Sequence, residues 1–523
     1  MTRRASVAMT ASTERQLQAH LLREDGQEDI CVATYCPSTG TTRRTALLRT
    51  VILPEPGERE VHGNATITGE YVLRAAAAAQ DRGEGLALCH SHPGGSGWQM
   101  MSDPDRDAES SFANLVRELT SLPLVGLTLA GHDGQWSGRH WDVAAGTEVG
   151  TTDCENVRII GDRLTVSWND AVVASPARRA SQARTVSCWG ARKQADLARR
   201  SVLVVGAGSV GLDVAMRLAA TGIMTIGLMD FDTVEQRNLD RLVGVTTTDA
   251  WLRRPKVHTA RRLLTENATA ARPTISAWEH SICEPEGLQL ALDFDLVICC
   301  VDRPWARAVL NAMAYRDLIP VIDGGIAIDV FPDGGGMRGA TWRSHAIRPG
   351  RPCMSCNGQL DLGAVTADRE GTLDDPAYIA GHNSQSPADG GQNVAALSIS
   401  VAAGLLAQYV SLNIAPGGMG EPGPLQYLLS THTLEHLESA SRPGCSVEAL
   451  IADGDAGPRL TGRHIAAENK RHDRARAQLP LAILAGQTAD DLVWRWRSTL
   501  TTAGRRALLR SPALGRDPSS TSR

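Results

Sequence analysis

Lysine is nearly absent from this chain: Lys193, Lys256 and Lys470 stand against fifty arginines in 523 residues. Genomic nucleotide bias accounts for most of that imbalance. It still makes each retained lysine worth weighing, because an exposed helix accepts arginine equally well. Long apolar runs are missing too. No stretch approaches the ~18 uninterrupted apolar residues of a membrane span. The N-terminus, MTRRASVAMTASTERQLQAH, lacks the apolar core of a secretory signal. Excess positive charge is absent: the formal net charge of −5 argues against a general nucleic-acid binder. The eleven cysteines include one Cys-x-x-Cys and otherwise scatter, which suits a reducing cytoplasm better than a disulfide framework. Internal repeats are also lacking. With 42% hydrophobic and 21% charged residues, the composition is that of a soluble globular chain with room for two or three domains.

The stretch Ser201–Arg241, SVLVVGAGSVGLDVAMRLAATGIMTIGLMDFDTVEQRNLDR, is the most informative. An apolar strand runs into Gly206-Ala207-Gly208-Ser209-Val210-Gly211 and then into a helix rich in Ala, Leu and Met. A second strand, Met224–Met229, ends at Asp230. The pattern is a strand–loop–helix–strand unit of a doubly wound nucleotide-binding sheet. Gly206 serves the tight turn, Gly208 the approach of phosphate, and Gly211 close helix–strand packing. The helix start offers N–H groups and a positive dipole end to phosphate. Alone, this loop fits an NAD-dependent oxidoreductase equally well, with Asp230 on the ribose. The residues beyond Asp230 shift the balance. The string Asp230-Phe231-Asp232-Thr233-Val234-Glu235, then Asn238-Leu239-Asp240-Arg241 and later Pro255-Lys256, has no role in holding nicotinamide.

A second constellation lies upstream. His90-Ser91-His92 closes a predicted strand, and nine residues later comes Ser102-Asp103-Pro104-Asp105. Histidines at i and i+2 on a strand end point the same way, and an Asp at the next helix start can supply a third ligand. A fourth position then stays open for water, as catalytic zinc requires. A carboxylate nearby must take the proton from that water.

Both constellations resemble known families. The downstream one resembles the ThiF/MoeB/HesA adenylyltransferases, relatives of the ubiquitin-activating enzymes. That resemblance implies an ATP site in which Gly206, Gly208 and Gly211 carry the phosphate loop and Asp230 binds the ribose. Asn238, Arg241 and Lys256 would contact the phosphates, and Asp302, at the end of strand Phe294–Val301, would hold Mg²⁺. Asp232 stays open between the nucleotide site and a structural turn. An arginine lent across subunits is implied as well, with Arg184 as the candidate. Cys353-Met354-Ser355-Cys356 matches the first half of that family's structural zinc pair. Cys445 stands alone where a second pair is expected. Cys353 or Cys356 therefore either forms a thioester with the activated carboxylate, or three cysteines plus another ligand hold zinc.

The upstream string resembles the JAMM (JAB/MPN) zinc metalloproteases, with a loop of nine residues where their pattern has seven. Loop insertion between fixed ends costs little. The resemblance implies His90, His92 and Asp105 as zinc ligands, with Asp103 competing for the third place. It implies Ser102 at the oxyanion and Glu28 as general base, with Glu55, Glu58 and Glu60 as rivals.

The expected fold is α/β: a JAMM-like domain (14–142), a connector (143–200), a doubly wound ThiF-like domain (201–445) and a helical or disordered tail (446–523). In the tail a helix is expected at Leu481–Trp496, and in the ThiF-like domain a mobile loop at Arg348–Gly381. The two resemblances converge on one substrate, the Gly-Gly tail of a ubiquitin-like or sulfur-carrier protein. The first domain would process that tail with Zn²⁺ and the second would adenylate it with ATP and Mg²⁺. Expected partners are that carrier, a conjugating enzyme and a second copy of the chain, with no nucleic acid and no membrane. A non-catalytic scaffold with a decayed activating domain is the rival outside enzymes, and small-molecule or peptide adenylation is a further one.

Overall fold

Alternation of small and large apolar residues sets up the first sheet. The computed structural model describes residues 3–62, 64–143, 149–331, 335–374, 393–437, 440–477, 492–494 and 496. Among these, the first sheet takes β1 (Arg4–Thr10), β2 (Ile30–Thr39), β3 (Arg43–Ile52), β6 (Gly85–His92), β7 (Leu124–Ala130), β8 (Trp136–Val143), β9 (Val149–Ile160) and β10 (Leu164–Trp168). A separate hairpin holds β4 (Arg59–His62) and β5 (Asn64–Ile67). Cys31 and Ala33 of β2 pack with Leu17 and Leu21 of α1 (Ala11–Leu21). Their neighbours Ile30 and Val32 pack on the opposite face, in one core with α2 (Gly69–Gln80) and α3 (Asp103–Thr120). That is the period-two rule of a strand buried on both sides.

Sheet order is β1-β3-β2-β6-β7-β8-β9-β10. β9 pairs with β8 through Val149–Asp153 and with β1 through Cys154–Ile160, so the sheet curls back on its first strand. The sheet therefore draws on residues before position 14 and on two strands from the stretch expected to be a connector. The first addition depends on long-range parallel pairing of β1 with β3 and β9, which no local pattern announces, whereas β9 and β10 also join by antiparallel pairing with their chain neighbours.

The second sheet has the order β13-β12-β11-β14-β15-β16-β17-β18. Its parallel half comprises β11 (Ser201–Val205), β12 (Thr225–Met229), β13 (Thr274–Trp278), β14 (Leu296–Cys299) and β15 (Val321–Val330). An antiparallel meander, β16 (Met337–Ile347), β17 (Leu425–Leu428) and β18 (Thr433–His436), extends one edge. Order reverses between β11 and β14, the switch point where doubly wound sheets place their ligands. Seven further helices accompany this half before residue 374: α4 (Ala183–Trp189), α5 (Ala191–Arg199), α6 (Ser209–Thr221), α7 (Thr247–Trp251), α8 (Lys256–Asn267), α9 (Pro285–Ala291) and α10 (Pro304–Arg316). An eighth, α11 (Leu362–Glu370), occupies part of the stretch expected to be a mobile loop. Asp361 starts it by accepting the Ala364 N–H at 3.0 Å, an N-cap inside a Gly- and Asp-rich segment.

The helix Ala395–Ile414 is long and apolar enough to cross a membrane by length and composition. Here Val401, Ala402, Leu405, Tyr409 and Leu412 are buried in the core, and Gln408 donates to the Gly423 carbonyl at 2.7 Å. Residues Met1–His464 form one compact unit and Ile465–Arg523 another. In the second, a helix spans Ile465–Ala477, and most of the expected Leu481–Trp496 helix and the chain's end lie outside the described residues.

The two sheets are joined by ionic contacts. Thr42 N–H donates to both oxygens of Asp293 at 2.9 and 3.0 Å, and Ser38 donates to Asp317 at 2.9 Å. Arg43, wholly buried, donates to Asp295 at 2.6 Å, while buried Arg158 approaches Asp295 at 3.8 Å. Burial raises the Asp295 pKa, but Arg43, Arg158 and the Ser201 N–H and hydroxyl outweigh it and hold it at about 2. Asp295→Ala removes the carboxylate between two buried guanidinium groups, leaving Glu155 at 3.5 Å as the counter-ion of Arg43, so a loss of about 3–5 kcal/mol is expected in denaturant melts. The sign with pH follows from the depressed value. Its stabilisation is complete above the ordinary carboxylate range, near ~4, and disappears as pH falls through about 2. An Asp295→Asn variant should lose that part of the acid dependence.

Candidate functional site

The glycine loop follows β11 because a turn this tight needs a positive φ. Gly206 has φ +94°, and a Cβ there would sit 2.6 Å from the Cys300 carbonyl oxygen. A Cβ on Gly211 would come within 1.8 Å of the Gly206 oxygen, so α6 crosses the strand end closely only because that position is bare. Gly208 has open space around it and is the N-cap of α6 with no side-chain cap, and the first N–H groups of a helix have no partner within it. Ser209 is buried and accepts from Asn393 at 3.0 Å and Ser398 at 2.9 Å, tying the loop to the start of the Ala395–Ile414 helix. The sequence carries no local signal for that tie, because the partners lie 184 and 189 positions away.

Asp230 directly follows β12 and braces the loop: its carboxylate accepts the Ala207 N–H and the Asp232 N–H, each at 2.7 Å. Burial pushes its pKa up, with Lys256 opposing. Lys256 starts α8 behind Pro255. Its ammonium donates to Asp232 at 2.9 Å, and its N–H donates to the Asp232 carbonyl, also at 2.9 Å. Asp232 thus serves both as a turn acid and as the partner of Lys256. Burial lowers the Lys256 pKa, yet Asp230, Asp232 and Asp302 raise it further, so the ammonium remains charged. Asp302 is exposed just beyond β14 at the switch point. The loop glycines, Asp230, Lys256 and Asp302 therefore share one mouth.

Asn238 and Arg241 lie on the neighbouring turn and are occupied locally. Asn238 is buried and its amide oxygen accepts the Glu235 N–H at 2.9 Å. Arg241 donates to the Arg237 carbonyl and to Asp240, the latter at 2.9 Å. Arg184 is exposed on α4.

In the first sheet, β6 delivers His90 and His92 to one side, with Nε2 atoms 3.3 Å apart. Asp105 Oδ2 lies 3.3 Å from His92 Nε2 and 3.7 Å from His90 Nε2. Among the described residues it is Asp105, not Asp103, that joins the pair. Local chemistry explains why. Ser102 caps α3, and Asp105 at the third helical position accepts the Ser102 hydroxyl at 2.7 Å and its N–H at 3.0 Å. This reciprocal box aims one carboxylate oxygen at the histidines. Burial pushes His90 down to about 3, leaving a neutral imidazole with a lone pair to offer. Glu28 stands in the loop before β2. Burial raises its pKa, His92 lowers it and Asp105 raises it, so it lies within electrostatic reach of the same cluster. Glu58 is taken up by Arg74 at 2.5 Å and by the Glu55 N–H at 2.7 Å. Two imidazoles, a carboxylate and a nearby free acid suit a zinc ion with an open position.

Cys353, Cys356 and Cys445 converge, all three sulfurs within 4.8 Å of one another and Cys353 Sγ 3.6 Å from Cys445 Sγ. Cys356 accepts the Arg442 N–H at 3.3 Å. Burial drives the Cys353 thiol up to about 12. For Cys445 burial raises the value, but the Glu448 and Val447 N–H groups prevail and lower it. Glu448, three residues after Cys445, has a buried Oε1 without a hydrogen-bond partner. Three thiols can supply three of the four ligands of a closed structural zinc site, and among the described residues no carboxylate joins them.

Doubly wound topology with a glycine loop and an acid-flanked lysine at the switch point defines a nucleotide-binding α/β protein. Residues 180–445 match the model of the ThiF family, and the chain belongs to that family. Among curated proteins it is similar to the adenylyltransferase and sulfurtransferase UBA4 of Meyerozyma guilliermondii, 34% identical over 148 residues, 28% of this chain and 34% of that protein. The molybdopterin-synthase adenylyltransferase of Escherichia coli is 31% identical over 165 residues, 30% of this chain and 59% of that protein. The chain thus spans about a third of the first relative and under two thirds of the second. Among solved structures, E. coli MccB with ATP aligns at a TM-score of 0.39 and 19% identity, covering 52% of this chain and 74% of that one.

Proposed function

We propose that this chain adenylates the C-terminal carboxylate of a ubiquitin-like or sulfur-carrier protein, and that its first domain processes such tails as a JAMM-like zinc peptidase. The observation that carries the first half is the charged Lys256 set among Asp230, Asp232 and Asp302 at the mouth of the glycine loop. The adenylyltransferase relatives support the reading. In the proposed reaction a carboxylate oxygen of the tail attacks the α-phosphorus of ATP. The bond from that phosphorus to the bridging oxygen breaks, and pyrophosphate leaves with the electron pair. The protein's part is placement and neutralisation of charge. Lys256, with Asn238 and Arg241 once freed from their own turn, faces the phosphates. Asp230 faces the ribose and Asp302 a magnesium ion. In a homodimer, exposed Arg184 is the arginine offered to the partner's site.

For the first domain, His90, His92 and Asp105 would hold zinc, which when bound lowers the pKa of a water and polarises a carbonyl. Glu28 takes a proton at a carboxylate oxygen and returns it to the leaving amine. Ser102 lies beside the developing oxyanion. The thiol cluster is a structural zinc site in which the three cysteines and one further ligand hold the metal, because a Cys353 thiol raised to about 12 is a poor nucleophile.

ATP–pyrophosphate exchange that depends on a ubiquitin-like protein ending in Gly-Gly tests the first half. Exchange with a small peptide alone, or tight NADH binding without ATP binding, would overturn it. Native mass spectrometry should find about two zinc ions per chain, one at each site. Cys445→Ser is expected to release one and His92→Ala the other.

A further inference from the structure

We propose that Glu109 is a positioning residue that fixes how His90 presents its ring to the metal. This rests on the reading that His90, His92 and Asp105 hold zinc. Asp105 and Glu109 stand four apart on α3 and share one face of that helix. The first reaches His92 at the mouth, and the second lies one turn deeper, 1% exposed. Between them His90 turns Nε2 toward the ligand cluster and Nδ1 toward Glu109 Oε1, 4.0 Å away. A metal-bound histidine almost always gives its second N–H to a carboxylate, carbonyl or water, which sets the tautomer and strengthens the ligand nitrogen. At 4.0 Å the contact is not yet a hydrogen bond; an approach of about 1 Å makes it one.

The surroundings of Glu109 are built for a fixed anion. Arg139 Nε donates to Oε2 at 2.7 Å, Arg139 Nη2 donates to Oε1, and the Trp141 indole N–H donates to Oε2 at 2.5 Å. On β7, a Cβ at Gly126 would fall 2.1 Å from Glu109 Oε2 and 2.7 Å from Arg139 Nε, so that strand is bare where the pair crosses it. Arg139 also donates to the Thr128 hydroxyl at 3.0 Å, which lies 3.3 Å from His90 Nε2. One guanidinium thereby organises groups at both nitrogens of the His90 ring. A plain Arg–Glu pair needs neither the aim of Oε1 at His90 nor the Thr128 contact.

The test uses the full-length protein and zinc alone. Competition with a chelator is followed for the zinc lost in His92→Ala. Glu109→Gln, with a cooperative melt retained, is expected to weaken that zinc about 10–100-fold. A folded Glu109→Gln chain with unchanged affinity overturns the proposal while leaving the zinc reading intact, whereas full zinc content in His92→Ala removes both. Because Glu109→Gln leaves Arg139 without its counter-ion, a second measurement is made on the unaltered chain. Nitrogen-15 NMR of zinc-loaded protein should show His90 protonated at Nδ1, and a proton on Nε2 instead overturns the assignment.

Discussion

Lys256→Ala is expected to lower ATP–pyrophosphate exchange by about 10²–10³-fold, the usual cost of deleting one pre-placed charge at a reacting centre. The Lys256 side chain is 14% exposed, so its ammonium is largely desolvated and acts across a low-dielectric gap. Three acids keep it protonated, and it is already oriented by Asp232 and by the start of α8. Bound triphosphate would compete with Asp232 for the same ammonium, so ATP affinity and exchange rate should fall together. Lys256→Arg should not rescue fully, since a planar fork cannot replace a compact ammonium in a site cut to its size. Asp302→Ala should abolish exchange while leaving the melt unchanged, because Asp302 is exposed. Full exchange in both alanine variants would remove this site from the chemistry.

Glu28→Gln is expected to reduce cleavage of a ubiquitin-like protein carrying an extension after Gly-Gly by about 10²–10⁴-fold, the range for losing a general base. Zinc content should be unchanged. That split separates Glu28 from the ligands: His92→Ala should lose activity and metal together. Glu28 is the free acid within electrostatic reach of the cluster, whereas Glu58 is spent on Arg74. Wild-type cleavage by Glu28→Gln would return the base role to a rival acid.

Local chemistry made part of this legible before any fold was known. Glycine spacing, the acid directly after β12 and the histidine pair ending β6 each lie within a short window where backbone geometry dictates direction. The choice between Asp103 and Asp105 was open in sequence because both open the same helix, and the capping box with Ser102 selects one. Cys445 stood open in sequence between a missing second pair and a third zinc ligand, and the fold brings it within 3.6 Å of Cys353.

What the sequence alone determined is therefore what short-range geometry encodes: a glycine loop, a histidine pair on one strand end and a retained lysine. Tertiary structure alone decided which distant side chains complete them. Asn393 and Ser398 on Ser209, Arg139 and Trp141 on Glu109, and β9 closing on β1 all join positions far apart in the chain. Such contacts arise from packing and from satisfying buried polar groups, and a linear pattern records neither.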